Sequence, residues 1–338
     1  MATPVGTHAP HGGAWRLGTR GSALALTQAR LVAAALAGAH PGVEVEIVTI
    51  TTKGDVRTDV PLSAIGGVGV FAAELEAALR AGEVDFAVHS AKDLPSTAPA
   101  DMALAAFLER EDPRDVLVSG VAGAGTLRAL PHGARVGTSS PRRACQLRAA
   151  RPDLDLRDIR GNVDTRLRKL DAGEYDAIVL AAAGLRRLGL IGRATEHLDP
   201  ADMLPQVGQG AIAIEVRADD AATAALVALV DHARTRAAVE AERAFLARLG
   251  AGCTAPAGAH AALRPDGTLV VEGMVGHADG RGVRRRLAGP VADAKLLGAA
   301  VAEALIGEGG DVLLREAGVR STAAVATTGV DTAGVDRA

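Results

Sequence analysis

Strand-like and helix-like segments alternate along most of this chain, and that alternation limits the possible folds more than any other feature. A short strand is predicted at 15–18 (WRLG), before a helix that Ser22 can cap and that extends to about Leu36. A β-branched run follows at 43–50, then a helix at about 70–80 and a strand at 85–89. Such alternation predicts a parallel or mixed sheet covered by helices.

A second unit with the same alternation begins near Asp115. Strands are predicted at 134–138, 154–159 and 177–180, and helices begin at Pro141, after candidate caps Ser139 and Ser140, and at Asn162. The tripeptides at 17–19 (LGT) and 136–138 (VGT) each close a strand just before a helix. Helix N-termini at the ends of such strands are where open α/β sheets bind anions.

The segment at 204–210 leads into a β run at 211–216 that we expect to return the chain to the first unit. Two crossovers would then join two lobes around a cleft. From about Thr235 the pattern changes to a helix at 236–249, two strands around a turn at 265–267, and an Ala-rich helix from about Val291. We therefore predict an α/β protein with two doubly wound mixed sheets and a small α+β third domain.

The predicted division of the chain follows from these patterns. Domain 1 comprises 15–113 and 206–233, domain 2 comprises 114–205, and domain 3 comprises 234–316. The tails at 1–14 and 317–338 show no usable pattern, and we expect them to be disordered or mobile.

Composition narrows the class of protein. Hydrophobic residues make up 48% of the chain but aromatic residues only 2%, which favours helices packed on buried strands over an all-β sandwich. The net charge of −3 gives no support to general nucleic-acid binding. The N-terminus lacks the pattern of a signal peptide, and the longest apolar stretch, 177–185, is shorter than the ~20 residues that span a bilayer. We expect a cytoplasmic protein without a membrane association.

The two cysteines, Cys145 and Cys253, are too few for a disulfide scaffold and lack metal-ligand spacing, so no metal site is predicted. Cys145 falls within a predicted helix and fits a buried, inert thiol. Cys253 lies in a Gly/Ala/Pro loop, where an exposed thiolate or a point of covalent attachment is the functional alternative to an inert residue.

Arginines are concentrated between 142 and 169. Arg142 and Arg143 occupy the first turn of a helix, where a cation opposes the helix dipole, so an anion is expected there. Arg160 and Arg20 repeat this placement before helix starts. Since guanidinium groups bind carboxylates bidentately, such a set indicates a ligand with several carboxylates or phosphates. A solvated face with local salt bridges is the alternative, favoured for three others: Arg148, Arg151 and Arg168.

The segment 89–95 (HSAKDLP) directly follows a predicted strand. Asp93 at the end of that strand could stabilise or exchange a proton, although Lys92 and Asp93 could also be an ordinary loop pair. For His89 we favour a packed residue at the strand end over a base.

Together these segments resemble the porphobilinogen deaminase (hydroxymethylbilane synthase) family over about 15–316. The resemblance is carried by motifs in a fixed order along the chain: 17–28 (LGTRGSALALTQ), 52–55 (TKGD), 89–95 (HSAKDLP), 136–143 (VGTSSPRR), 160–167 (RGNVDTRL), 204–210 (LPQVGQG), 242–246 (ERAFL) and 252–253 (GC). It implies two lobes like those of a periplasmic solute-binding protein. It also implies a dipyrromethane cofactor held through a thioether to Cys253.

The resemblance further implies a transferase of heme and porphyrin (tetrapyrrole) biosynthesis. Asp93 would be the catalytic carboxylate that interacts with pyrrole N–H groups, helps ammonia leave porphobilinogen and stabilises the cationic azafulvene. Four units would be joined head to tail on the primer before water releases hydroxymethylbilane, and the primer would stay on Cys253.

The site residues that the resemblance implies fall into two groups. Cofactor binding is assigned to Asp93, Lys92, Ser140, Arg142, Arg143 and Cys253. Substrate binding is assigned to Arg20, Ser22, Ser90, Thr138, Arg160, Arg166 and Gln209. The chain departs from many relatives at Ala64 and Val68, where lysines are common, and at Pro141, where leucine is common.

Two other functional classes compete with this interpretation. A binding protein without catalytic activity could use the same cleft for a polycarboxylate. An RNA-binding protein could use the arginine-rich segment, although the few aromatic residues and the interleaved acids disfavour it. We expect a monomer that binds no nucleic acid.

Overall fold

The computed structural model describes residues 13–51, 72–252 and 255–319. Its strands are β1 (Trp15–Arg20), β2 (Val45–Ile50), β3 (Phe86–Ser90), β4 (Met102–Phe107), β5 (Asp115–Ser119), β6 (Arg135–Gly137), β7 (Asp155–Arg157), β8 (Ala177–Ala181), β9 (Glu196–His197), β10 (Ile212–Arg217), β11 (Ala257–Leu263), β12 (Thr268–Gly276) and β13 (Gly282–Pro290). Its α-helices are α1 (Ala23–Ala39), α2 (Ala73–Arg80), α3 (Pro141–Ala150), α4 (Val163–Asp171), α5 (Ala182–Arg187), α6 (Ala221–Val227), α7 (Ala233–Leu249), α8 (Ala294–Gly307) and α9 (Gly310–Glu316).

The strands form three sheets. The first has the order β2-β1-β3-β10-β4, with β1 parallel to β2 and β3 and with β10 antiparallel to both of its neighbours. The second has the order β7-β6-β8-β5-β9, with β6 parallel to β7 and β8 and with β5 antiparallel to its neighbours. The third is the antiparallel sheet β11-β12-β13, which packs against α7 and α8. The predicted fold class is confirmed: two mixed α/β sheets and a small α+β unit.

The return of the chain to the first sheet is visible in the strand order. β10 lies between β3 and β4, although the whole second sheet separates it from them in sequence. The segment 204–210 therefore leads back into the first lobe, as its sequence predicted. We keep the residue boundaries of the three domains as a proposal.

The two lobes fix equivalent strands, β1 and β6, with the same pair of contacts. In the first lobe, the backbone N–H and the guanidinium of Arg16 both donate to Asp85, at 2.8 Å each. In the second, the backbone N–H and the guanidinium of Arg135 donate to Asp176, at 2.7 and 2.8 Å. The similarity between 17–19 and 136–138 thus extends to equivalent contacts in two lobes with equivalent strand orders.

Helix starts agree closely with the sequence predictions. Ser22, Ser140 and Asn162 each accept a hydrogen bond from the backbone N–H three residues on, at 3.3, 3.4 and 3.0 Å. Pro141 occupies the first position of α3. These caps direct the N-termini of three helices toward the ends of β1, β6 and β7.

Some elements are shorter than predicted or were not predicted. β7 has only three residues because it is an edge strand that pairs with β6 alone. β4 was not predicted: its sequence, MALAAF, is rich in helix formers, and pairing with β10 overrides that propensity. Within the described residues, no helix is long and apolar enough to cross a membrane.

Candidate active site

The Lys92–Asp93 pair lies in a single turn at the end of β3. A 3-10 turn, Ala91–Asp93, follows that strand directly, and the backbone N–H of Ala91 donates to the carbonyl of Ala211 at 3.0 Å. Gly208, with a φ of +71°, packs against this turn so closely that a Cβ there would lie 3.0 Å from the carbonyl carbon of Ala91. The turn is therefore held from behind by β10 and by the segment 204–210.

Four predicted site residues line one cavity at the end of β3: Arg20, Ser22, Ser90 and Asp93. Gln28, which the sequence analysis missed, lines it too. Its amide nitrogen donates to the hydroxyl of Ser90 at 2.8 Å, and that hydroxyl lies 3.1 Å from the amide oxygen. A glutamine among the apolar positions of α1 was the sequence signal that could have identified Gln28 as a site residue, because a buried polar side chain needs a hydrogen-bond partner.

Arg142 and Arg143 are both buried and both bind Asp115. Nη2 of Arg142 lies 2.8 Å from one carboxylate oxygen of Asp115, and Nη2 of Arg143 lies 2.7 Å from the other. The sequence argument expected a bound ligand to compensate these cations at the helix start. Asp115 supplies one anion from within the chain, which the sequence analysis did not predict, and binding of a ligand by these two arginines stays a prediction. A lone aspartate at the start of a strand has no motif that would have marked it.

The pKa of Asp115 reflects this arrangement. Burial by itself would raise the pKa, but Arg142, Arg143 and the side-chain amide of Gln209 together hold it well below its usual range. The carboxylate therefore stays ionised and keeps both guanidinium groups in place.

Gln209, predicted to bind substrate, is completely buried. Its amide nitrogen donates to Asp115 at 2.9 Å and to the carbonyl of Pro113 at 2.7 Å. Gln209 thus connects the two chain segments that cross between the lobes. A direct contact with substrate stays a prediction.

The remaining cations crowd together beside this pair. Burial lowers the pKa of Lys92 to about 8; Asp93 opposes the shift and Arg143 adds to it. Burial likewise lowers the pKa of Arg166 to about 10, and Arg143 and Arg160 lower it further. The structure therefore links five of the predicted cations electrostatically: Arg143 acts on both Lys92 and Arg166, Arg142 also acts on Lys92, and Arg160 acts on Arg166.

Other predicted residues have clear places. The hydroxyl of Thr138 accepts from the backbone N–H of Ser140 at 3.2 Å, so both lie at the start of α3. Cys145 is buried, and burial raises the pKa of its thiol to about 11, which confirms the prediction of an inert residue. Cys253, Ala64 and Val68 lie outside the described residues.

Two arginines beyond the predicted set also lie near this region. Arg187, in α5, donates to the carbonyl of Gly210 at 2.6 Å, and burial lowers its pKa to about 10. Arg243, in α7, lines a second cavity together with Lys92 and Gly252. Arg187 lies outside the motifs that carry the resemblance to a family; Arg243 lies within the motif 242–246, but the sequence analysis gave it no role.

Comparison with known proteins agrees with this arrangement. The family model "Porphobilinogen deaminase, dipyromethane cofactor binding domain" matches residues 15–225, and the C-terminal domain model of the same family matches 236–307. A porphobilinogen deaminase of Roseiflexus castenholzii is 57% identical over 88% of this chain and 97% of its own length. One from Xanthomonas euvesicatoria is 53% identical over 89% of this chain and 98% of its own length.

Among solved structures, the substrate-binding protein of an amino acid ABC transporter aligns with 64% of this chain and 91% of its own length. The sequence identity is 17% and the TM-score is 0.35. The assignment of the fold rests on the sheets themselves and not on this match.

Proposed function

Since the chain belongs to the porphobilinogen deaminase family, we propose that Asp93 is its catalytic carboxylate and that the cations beside Asp93 hold the carboxylates of the ligand. The protein is a transferase of tetrapyrrole biosynthesis. It deaminates porphobilinogen, joins the units head to tail on a dipyrromethane cofactor, and releases hydroxymethylbilane.

The crowding of buried and half-buried cations is the observation that carries this proposal. Lys92, Arg142 and Arg143 lie near Asp93 and Asp115, Arg160 and Arg166 adjoin Arg143, and the lowered pKa values of Lys92 and Arg166 show how costly that charge is without a further anion. Nε of Arg142 is buried with no hydrogen-bond partner among the described residues. Each pyrrole unit carries an acetate and a propionate, so the residues present fit a dipyrromethane and the chain that grows from it.

The residues divide the work between them. When bound, the dipyrromethane supplies the pyrrole carbon to which the first unit is joined. Lys92, Arg142 and Arg143 would hold its carboxylates, with Ser140 as a hydrogen-bond partner and Cys253 as the point of attachment. The incoming substrate would be oriented by three residues that share a cavity with Asp93: Arg20, Ser22 and Ser90. The other proposed substrate contacts are Thr138, Arg160, Arg166 and Gln209.

Asp93 would act by charge and by position. Its carboxylate can accept hydrogen bonds from pyrrole N–H groups and stabilise the positive charge that develops on the substrate as ammonia leaves. Held in a turn that is packed from behind, it needs little reorganisation during the reaction.

The setting of the enzyme is also a proposal. We place it in the cytoplasm as a monomer with no nucleic-acid partner and no membrane association. A chain with only two cysteines suits a reducing compartment, and its net charge of −3 disfavours general binding to nucleic acid. The polycarboxylate-binding and RNA-binding classes are set aside, because relatives at 48–57% identity over 88–89% of the chain are deaminases.

Replacing Asp93 tests the catalytic assignment. Asp93→Asn keeps the size of the side chain but removes the charge, so turnover should fall by about 10²-fold or more while the protein stays folded. The measurement is the rate of hydroxymethylbilane formation, with circular dichroism as the check on folding. Asp112→Asn, at a carboxylate paired with Arg114 outside the cavity, is the control and should keep normal turnover. Normal turnover in Asp93→Asn would exclude the proposed role.

The mass of the protein tests the attachment. After denaturation, the intact chain should exceed its calculated mass by two deaminated porphobilinogen units, and peptide mapping should place them on the peptide that contains Cys253. An unmodified chain that gains no mass on incubation with porphobilinogen would contradict the proposed attachment.

A further inference from the structure

Three titratable side chains, none of which the mechanism above uses, are buried together next to the cavity that Asp93 lines, and one of them also lines that cavity. They are His89 on β3, Glu215 on β10 and Glu76 on α2, with 7%, 1% and 8% of their surfaces exposed. Nε2 of His89 lies 3.0 Å from a carboxylate oxygen of Glu215. We name this group the His89 cluster.

The His89 cluster lies directly beside the strand end that leads to Asp93. In the register of β3 and β10, Ala213 is opposite His89 and Glu215 is opposite Ala87, so the two side chains meet diagonally on one face of the sheet. The next residue, Ser90, points to the other face, where it bonds Gln28. The end of β3 is therefore fixed by a polar contact on each of its faces.

Two helices contribute the other charges that face Glu215. From α2 comes Glu76, whose pKa is raised by burial and by Glu215 and lowered less by Arg80 and His89. From α7 comes Arg243, whose pKa is lowered by burial while Glu215 opposes that shift. Together with Arg243, the three residues of the His89 cluster bring titratable groups from four elements, including a helix that packs on the third sheet.

Stability alone does not account for such a cluster. Removing titratable groups from water costs free energy, and an apolar pair of similar volume is often as stable as a buried ion pair or more so. A polar pair does provide direction, because the 3.0 Å contact between Nε2 of His89 and a carboxylate oxygen of Glu215 depends on how β3 lies against β10. An apolar contact would leave β3 freer to shift against β10.

We propose that His89 and Glu215 are positioning residues for Asp93: their contact fixes the end of β3 so that the turn presents the Asp93 carboxylate to the cavity. The inference rests on the catalytic role proposed for Asp93. His89 and Glu215 act through the backbone of the turn, so they govern the rate of the chemical step more than the affinity for substrate.

The test compares three variants. His89→Leu with Glu215→Leu removes the contact, and circular dichroism checks that the protein stays folded without the carboxylate that faces Arg243. In this double variant kcat should fall by at least about tenfold with a smaller change in KM, because Asp93 is displaced rather than removed. His89→Gln alone can still donate to Glu215 and should keep most of the wild-type kcat. Thr223→Val, a buried polar-to-apolar change on α6, is the control and should leave both constants unchanged.

A second measurement does not depend on activity. The amide of Ala91 donates to Ala211, and hydrogen exchange followed by mass spectrometry should show faster exchange at this amide in the double variant. In His89→Gln the amide should be protected as in the wild type. The amides of β6 should exchange at an unchanged rate in both variants.

The outcomes are distinct. Wild-type kcat and exchange in the double variant, with Asp93→Asn inactive, would overturn this inference alone. Loss of activity in proportion to lost folded protein, without recovery in His89→Gln, would show a purely structural role and overturn it as well. An active Asp93→Asn would remove the proposed function and this inference with it.

Discussion

A single buried carboxylate, Asp115, organises the predicted cofactor-binding arginines. It is the first residue of β5, where the chain enters the second sheet; it accepts hydrogen bonds from Arg143 and Gln209 and forms an ion pair with Arg142. Arg142 and Arg143, which belong to a recognisable motif, are therefore held in place by Asp115, which belongs to none. Charge balance in the site depends on that residue before any ligand binds.

Removing the charge of Asp115 should be costly. Asp115→Asn leaves two buried guanidinium groups without their counterion, and we expect a loss of about 3–5 kcal/mol in the free energy of unfolding. Urea denaturation at pH 7 measures this loss. Asp153→Asn, at an ion pair with Arg151 near the surface, should lose much less. Equal losses in the two variants would contradict the role given to Asp115.

The same carboxylate should contribute to acid unfolding. Its pKa in the folded protein lies below the ordinary value of 3.8, so its stabilising effect is complete above that value and is lost as the pH falls toward the folded pKa. The wild type should therefore lose stability below about pH 4 more steeply than Asp115→Asn does. Parallel stability curves for the two proteins between pH 5 and pH 2, on that same scale, would refute this expectation.

Lys92 offers a direct view of the crowded cations. The chain has four lysines, Lys53, Lys92, Lys169 and Lys295, so the ε-carbon signals of a labelled sample can be resolved by NMR. In protein without the primer, one signal should titrate near pH 8, and Lys92→Arg should remove that signal. Between pH 8 and 10.5 the unfolded chain holds a proton on Lys92 that the folded chain lacks, so this residue's contribution to stability rises with pH. A Lys92 signal that titrates with the other lysines would contradict the burial of its ammonium group.

At the scale of elements, the third domain depends on one close helix crossing. Gly298 of α8 packs against α7 so tightly that an added Cβ would lie 1.9 Å from the carbonyl oxygen of Ala241. The two helices cover the sheet β11-β12-β13, and Phe245 and Val301 fill the space between them and the sheet. A side chain at 298 would push the helices apart.

Gly298→Ala should therefore destabilise the third domain by about 1–3 kcal/mol or more, as overpacking in a core does. Gly307→Ala, near the end of the same helix and with open space around it, should be neutral or stabilising. Thermal unfolding of both variants gives the comparison. A Gly298→Ala variant as stable as Gly307→Ala would mean that the helices can separate without cost.

The sequence predicted elements where local chemistry decides them. The helix caps at Ser22, Ser140 and Asn162 and the alternation of strands and helices could be predicted, because capping and the periodicity of apolar residues depend on the local sequence. β4 could not be predicted, because its Ala-rich sequence forms a strand only through pairing with β10. The same limit applies to the site: Asp93 could be assigned from its place in a motif at a strand end, whereas Gln28, although it ends the motif 17–28, and Asp115 gain their roles from partners distant in sequence.

At the scale of the whole molecule, Glu242 of α7 joins three parts of the fold. Its carboxylate is fully buried and accepts from both Nη atoms of Arg110, beyond β4, at 2.6 and 3.1 Å. It also accepts from the backbone N–H of Gly208, in the returning segment, at 2.7 Å and from that of Ala261, in β11, at 2.8 Å. One side chain therefore ties the first lobe, the crossover behind the Asp93 turn and the third sheet together.

Glu242→Gln tests whether this tie couples the third domain to the lobes. The variant keeps an oxygen acceptor but leaves the guanidinium of Arg110 without its charge partner, so we expect a loss of about 3–5 kcal/mol. The loss should be local: amides of α7 and β11 should exchange with solvent about 10²-fold faster or more, while those of β8 in the second lobe keep their protection. Glu303→Gln, which breaks an exposed pair with Arg248 in the same domain, is the matched control and should leave exchange unchanged. Uniformly faster exchange across all three sheets would show instead that the molecule unfolds as one unit, with Glu242 no more than one contributor to its stability.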